Sequence, residues 1–264
     1  MHSRFGELFP KRALYSQTVD EAHQTRAASF GPAAAEYDRG RPSYPADVVD
    51  WMIPAGTKTA IDLGAGTGKF TQLLAARGLE VTAVDPSEGM LAQLRASVPG
   101  VATAGGTAEA LPLPDDFADL VTSAQAWHWV DGERGFPEVA RVLNPGGSLA
   151  LVWNFRDNRD GWMNELAGII IDRDERVEVE NVRPAHPQFE EFEHRIFSWS
   201  QTLSREGLVD LVKSRSIYLV ASPEEQRSVL DRVGELLDSH PELAGRTTYE
   251  LPYRTHSFRA RVKK

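Results

Sequence analysis

The sequence predicts an α/β fold: a mostly parallel sheet with helices on both faces, then a helical region and a last antiparallel strand. Three observations predict it. Short apolar runs alternate with amphipathic stretches through about residues 59–154, the pattern of parallel strands joined by right-handed crossover helices. The first apolar run ends in a glycine-rich turn, Gly64-Ala65-Gly66-Thr67-Gly68, which is where an open α/β sheet binds ligands. Thr247 to Val262 alternates apolar and polar residues, which suits an antiparallel hairpin or final strand.

The elements follow in order. Residues 1–26 are polar and aperiodic and read as an N-terminal arm ahead of one domain over 27–264. Asp47–Ile53 reads as a short helix between Pro45 and Pro54. Thr59–Leu63 is a buried strand, and Lys69–Arg77 a helix with Phe70, Leu73 and Leu74 on one face. Glu80–Val84 is the second strand. Ser87 can cap a helix that turns Met90, Leu91 and Leu94 inward. Val101–Ala104 and Ala118–Ala124 are strands three and four. Arg134–Leu143 reads as a helix stopped by Asn144-Pro145-Gly146-Gly147, and Ser148–Trp153 as strand five. This α/β core covers about 55–155, and a cap with the remaining strands about 156–264. Within the latter, Trp162–Asp174, Arg205–Lys213 and Pro223–Ser239 read as helices and Ile196–Leu203 as a strand.

Composition narrows the chemistry. The 264 residues contain no cysteine. Disulfides, thiolate nucleophiles, Cys-ligated zinc and iron–sulfur clusters are therefore excluded. The formal charge of −9 disfavours non-specific phosphate binding. No apolar run reaches the ~18–20 residues of a membrane span, and Met1–Asp20 lacks the apolar centre of an export signal. The expectation is a cytoplasmic protein, monomer or homodimer, that binds neither nucleic acid nor membrane. His186 and His194 lack metal-ligand spacing, so no metal site is assigned.

Asp62-Leu63-Gly64-Ala65-Gly66-Thr67-Gly68 is the strongest local signal. Glycines let the backbone turn tightly and approach a ligand closely. A Walker A loop fails here, because Leu63 holds its first glycine position and Phe70 follows Lys69. A GxGxxG dinucleotide fingerprint fails because Lys69 stands where its last glycine belongs. The spacing is GxGxG after an acid at a strand end, and Asp85 lies where an acid binds ribose hydroxyls in related folds.

That loop resembles the glycine loop of class I S-adenosylmethionine-dependent methyltransferases. The resemblance extends in order through VTAVDPSEGML, GTAEALPL, VTSAQAWHWV and EVARVLNPGGSLALVWN, with YDRGRPSYP upstream. It covers roughly residues 30–155 and is similar to the methyltransferase type 11 domain, in the small-molecule branch that includes trans-aconitate methyltransferase-like proteins. The resemblance implies a Rossmann-like sheet of seven strands, mostly parallel with the last antiparallel, under a helical substrate cap. It implies S-adenosyl-L-methionine as cofactor and a small-molecule acceptor, methylated at a carboxylate or hydroxyl oxygen. The cofactor contacts it implies are Tyr37, Asp62, Gly64, Ala65, Gly66, Thr67, Gly68, Asp85, Pro86, Ser87, Met90, Ala108, Glu109 and Ser123. Asp62 can orient the ligand's amino group or merely brace the turn.

Acceptor contacts are sought at Arg41, Trp127, His128 and Arg156. A guanidinium suits a carboxylate. His128 is the candidate base, or its ring bonds a loop while the tryptophans pack the cap. Two other readings stay open: a nicotinamide-dependent oxidoreductase, and an S-adenosylmethionine-binding protein without turnover.

Overall fold

The computed structural model describes residues 42–159, 161–170, 184–215, 218 and 221–264. The expectations for Tyr37, Arg41, the 1–26 arm and the end of the helix read over 162–174 lie outside the described residues.

Seven strands form one sheet in the order β3-β2-β1-β4-β5-β7-β6. They are β1 (Thr59–Leu63), β2 (Glu80–Asp85), β3 (Ala102–Gly105), β4 (Ala118–Ala124), β5 (Leu143–Arg156), β6 (Glu193–Ser204) and β7 (Thr248–Arg261). The first five run parallel to one another, and β7 runs antiparallel to both β5 and β6. The antiparallel expectation for the last strand therefore holds. Its place in the sheet is inside, with β6 at the edge.

The helices among the described residues are α1 (Ala46–Met52), α2 (Lys69–Ala75), α3 (Glu88–Ser97), α4 (Gly132–Val142), α5 (Gly161–Ile169), α6 (Arg205–Lys213) and α7 (Pro223–Ser239). Their starts follow from local chemistry. Ser87, Asp131, Ser204 and Ser222 each accept a backbone N–H of the first turn, satisfying a donor that has no partner inside its helix. Ser222 and Glu225 complete a capping box.

β5 is longer than the apolar run Ser148–Trp153. Asn144-Pro145-Gly146-Gly147 does stop α4, but it lies within β5 as an irregularity. Ala118 pairs with Leu143 and Leu120 with Ser148, so the residues between are looped out of register.

Two apolar layers cover the sheet. One face joins Ile61, Val121, Leu149, Leu151 and Phe258 to Phe136 and Val139 of α4. The other joins Ala60, Leu120 and Val152 to Val48 and Met52 of α1 and to Phe70 and Leu74 of α2. Central strands covered on both faces are mostly apolar, as in Leu149–Trp153 of β5, and the polar exceptions Asp62 and Thr122 bond each other across β1 and β4. A third cluster packs α5, α6 and α7 against Tyr249, Leu251 and Tyr253 of β7. No described helix is long and apolar enough to cross a membrane.

Candidate active site

The strand order reverses between β1 and β4, which is the switch point where ligands bind in such sheets. The carboxyl ends of β1, β2, β4 and β5 bring the sequence-predicted residues to one edge. At the switch point the two flanking loops nearly touch. A Cβ added to Gly64 (φ +71°) would lie 2.5 Å from Ala126 Cβ. Only glycine fits there. Gly66 (φ +56°) is different: an added Cβ would meet nothing within 4 Å among the described residues. Gly68 (φ +90°) caps α2, and a Cβ there would run into Leu94 of α3 at 2.7 Å.

Asp85 ties the loop to the next strand. Its Oδ2 accepts from Gly66 N–H at 2.9 Å, and its Oδ1 from Ser87 N–H at 2.8 Å. Pro86 is exposed and Ser87 and Met90 are half-buried beside it. Asp62 is fully buried. Thr71 Oγ1 donates to its Oδ2 at 2.6 Å and Thr122 Oγ1 to its Oδ1 at 3.1 Å. The observed contacts of Asp62 are thus those of a brace between β1, α2 and β4. Burial pushes its carboxyl up to about 6, with the Asp85 charge adding to the rise and the threonine hydroxyls opposing it.

The loop after β3 places Ala108 in the core. Glu109 accepts Asp131 N–H at 2.8 Å, linking this loop to the start of α4. Ser123, near the end of β4, is 1% exposed, and its Oγ has no hydrogen-bond partner among the described residues.

The turn after β4 separates its aromatic residues. Trp127 is buried and packs edge-on against Phe136 at 4.9 Å. The acceptor contact sought at Trp127 therefore meets a residue turned into the core. Trp129 is 54% exposed and its ring lies 4.6 Å from that of His128. His128 is exposed, and its Nδ1 accepts from Trp153 Nε1–H at 3.3 Å. Arg156 ends β5 and is 7% exposed.

Sequence reasoning missed Trp129, which no periodicity distinguishes from Trp127, and Gln125. Gln125 adopts φ +56° at the end of β4, a conformation uncommon for a residue with a side chain. Its N–H bonds Val152 O at 2.9 Å and its Nε2 bonds Asn154 O at 3.0 Å. No residue type in AQAW signals that turn.

Comparison with known proteins agrees with this arrangement. Residues 61–151 match the methyltransferase domain family. An uncharacterized methyltransferase of Mycobacterium tuberculosis is 50% identical over 233 residues, spanning 88% of this chain and 95% of the relative. The chain belongs to the class I S-adenosylmethionine-dependent methyltransferases. Within that family, a malonyl-[acyl-carrier protein] O-methyltransferase of Methylococcus capsulatus is 42% identical over 135 residues, 46% of this chain and 48% of the relative. A solved structure assigned as a type II methyltransferase from Anaeromyxobacter dehalogenans superposes with a TM-score of 0.62 at 26% identity. It spans 85% of this methyltransferase and 97% of its own chain. The seven-stranded, mostly parallel sheet is the fold shared with that structure.

Proposed function

We propose that this methyltransferase binds S-adenosylmethionine at the carboxyl ends of β1 and β2 and methylates an oxygen of a small-molecule acceptor near the ends of β4 and β5. The observation that carries the reading is the pairing of the turn at Gly66 with the Asp85 carboxylate. The residues fit a ligand with a hydroxylated ribose, because a carboxylate at a strand end beside the turn is an acceptor of the kind that holds hydroxyls in such folds. The buried Ser123 Oγ, on β4 across β1 from Asp85, is a further polar atom at this end of the sheet. When bound, the cofactor supplies an electrophilic methyl group on a sulfonium. The chain's part is to hold that group in line with the acceptor oxygen, and positioning of this kind contributes ~7–11 kcal/mol to catalysis.

Oxygen as the target is supported by the O-methyltransferase name of the Methylococcus relative and by the cationic Arg156 at the end of β5. A small acceptor is favoured over nucleic acid by the net charge of −9. Incubation with methyl-labelled S-adenosylmethionine and a panel of small carboxylic acids, alcohols and phenols tests the reading. Label in an extracted small-molecule product is expected. Label confined to RNA or protein in a parallel lysate incubation would contradict it.

A further inference from the structure

We propose that Asn154 is a positioning residue for the methyl-donor site: its side-chain amide holds the chain at Ser43 against the end of β5, and cofactor affinity depends on that hydrogen bond. This rests on the reading above, in which the cofactor binds at the carboxyl ends of β1 and β2. The argument starts from polarity. Asn154 Nδ2 donates to Ser43 O at 3.1 Å. Thr255 Oγ1 donates to Asn154 Oδ1 at 2.6 Å, and Trp199 Nε1 donates to Thr255 Oγ1 at 2.8 Å. A carbonyl only accepts and an indole N–H only donates, while the hydroxyl between them has one proton to give. With an acceptor at one end and a donor at the other, each link has a single allowed direction. A flipped Asn154 amide would set Oδ1 against Ser43 O, two acceptors face to face.

Protein groups, rather than solvent, set this relay. Asn154 is 5% exposed and Thr255 is fully buried, and the two pair across β5 and β7. Trp199 stands on β6, its ring stacked on that of Tyr253 at 4.9 Å. Three strands thus aim one buried amide at the backbone of an exposed residue, Ser43.

The surroundings of Asn154 link this bond to the glycine turn. Its backbone O accepts from Gln125 Nε2 at 3.0 Å. The next residue, Ala126, is the one that closes on Gly64. Tyr44, beside Ser43, packs edge-on against Phe70 at 5.0 Å. Phe70 lies in the first turn of α2, the helix capped by Gly68. Ser43 and Tyr44 therefore bridge β5 and the start of α2, on opposite sides of the switch point. Without the amide N–H, the chain at Tyr44 loses its anchor on β5. The start of α2, next to the glycine turn, then loses a fixed neighbour.

The test uses the near-isosteric Asn154→Asp. Ionised, its carboxylate only accepts and faces Ser43 O; protonated, it regains a donor in the same place. Burial raises a carboxyl here above its ordinary ~4. Calorimetry of the full chain measures S-adenosylhomocysteine affinity at about pH 8 and about pH 5, for wild type, Asn154→Asp and Asn154→Ala. In the alkaline sample Asn154→Asp is expected to bind roughly 5–50-fold more weakly than wild type. In the acid sample it should return to within about 3-fold. Asn154→Ala should stay weak in both, since it has no donor to regain. Wild-type affinity of Asn154→Asp in the alkaline sample, or a deficit that acid leaves unchanged, would overturn the proposal. Where Asn154→Asp folds only in acid, the acid sample decides. Binding close to wild type is expected there, and binding as weak as that of Asn154→Ala overturns the proposal. Absence of binding by the wild-type chain itself would instead sink the methyl-donor reading, and this role with it.

Discussion

Asp85 Oδ2 and the backbone N–H of Gly66 lie 2.9 Å apart, so the acid ending β2 fixes the turn leaving β1. One carboxylate thereby shapes the loop at the carboxyl end of the sheet. Asp85→Ala removes that support. Loss of charged hydrogen bonds worth ~1.5–3 kcal/mol predicts a roughly 10–100-fold weaker affinity for S-adenosylmethionine. Isothermal titration of the variant measures this, and an affinity equal to wild type would remove Asp85 from the site.

Gly64 and Gly66 separate packing from binding. At Gly64 a methyl group meets Ala126 at 2.5 Å and φ is +71°. Gly64→Ala is expected to cost about 1–3 kcal/mol of stability, seen as a lower thermal midpoint. Gly66→Ala meets no neighbour, so only the left-handed backbone is strained, at ~1–2 kcal/mol. The expected signature at Gly66 is a loss of cofactor affinity out of proportion to its loss of stability. The reverse ranking would mean that the turn faces the core and not a ligand.

Asp62 makes stability fall as pH rises. Its folded pKa of about 6 lies above the ordinary 3.8, so the native state binds the proton more tightly than the unfolded chain. The stability this contributes is fully present below about pH 4 and is lost as pH rises through about 6. The total is on the order of 3 kcal/mol at ~1.4 kcal/mol per pH unit. Urea unfolding of wild type and Asp62→Asn at several pH values is the check. The wild type should lose ground against the variant between about pH 4 and pH 7; parallel curves would contradict the shift.

Asp119 works in the opposite sense. Lys58 N–H and Thr59 N–H donate to its Oδ2 at 2.9 and 3.1 Å, and Asn144 Nδ2 to its Oδ1 at 2.9 Å. These bonds, led by that from Lys58, hold its pKa at about 2, below the ordinary 3.8. Its stabilisation is present above about pH 4 and disappears as pH falls through about 2. Asp119→Ala should be destabilised at neutral pH, with the gap to wild type closing in acid. A constant gap would assign the effect to packing.

Trp129 offers an exposed ring next to His128. Trp129→Ala is expected to raise the KM for the best carboxylic acid of the panel severalfold, with cofactor affinity unchanged. An aromatic contact of ~0.5–1.5 kcal/mol sets that scale. Unchanged KM would place the ring outside the acceptor's reach.

Much of this was legible in the sequence because it rests on local pattern. The short, mostly apolar runs of β1 and β4, the serine at 87 and the three glycines each follow from chain-local physics. α6 and α7 begin and end at the residues expected. Relationships set by three-dimensional packing were not legible. The insertion of β7 between β5 and β6 depends on strand pairing, which alternation cannot order. The same alternation leaves Trp127 and Trp129 equivalent, although one turns inward and the other outward. The contact of His128, in the turn after β4, with Trp153 of β5 joins residues 25 apart in sequence.

The central claim is that the edge formed by Gly66 and Asp85 binds the methyl donor. Calorimetric titration of the full chain with S-adenosylhomocysteine tests it most directly. The account predicts one saturable site per chain, lost or strongly weakened in Asp85→Ala while the fold is retained by circular dichroism. Heat indistinguishable from dilution at millimolar ligand, or full-strength binding in the variant, would contradict it.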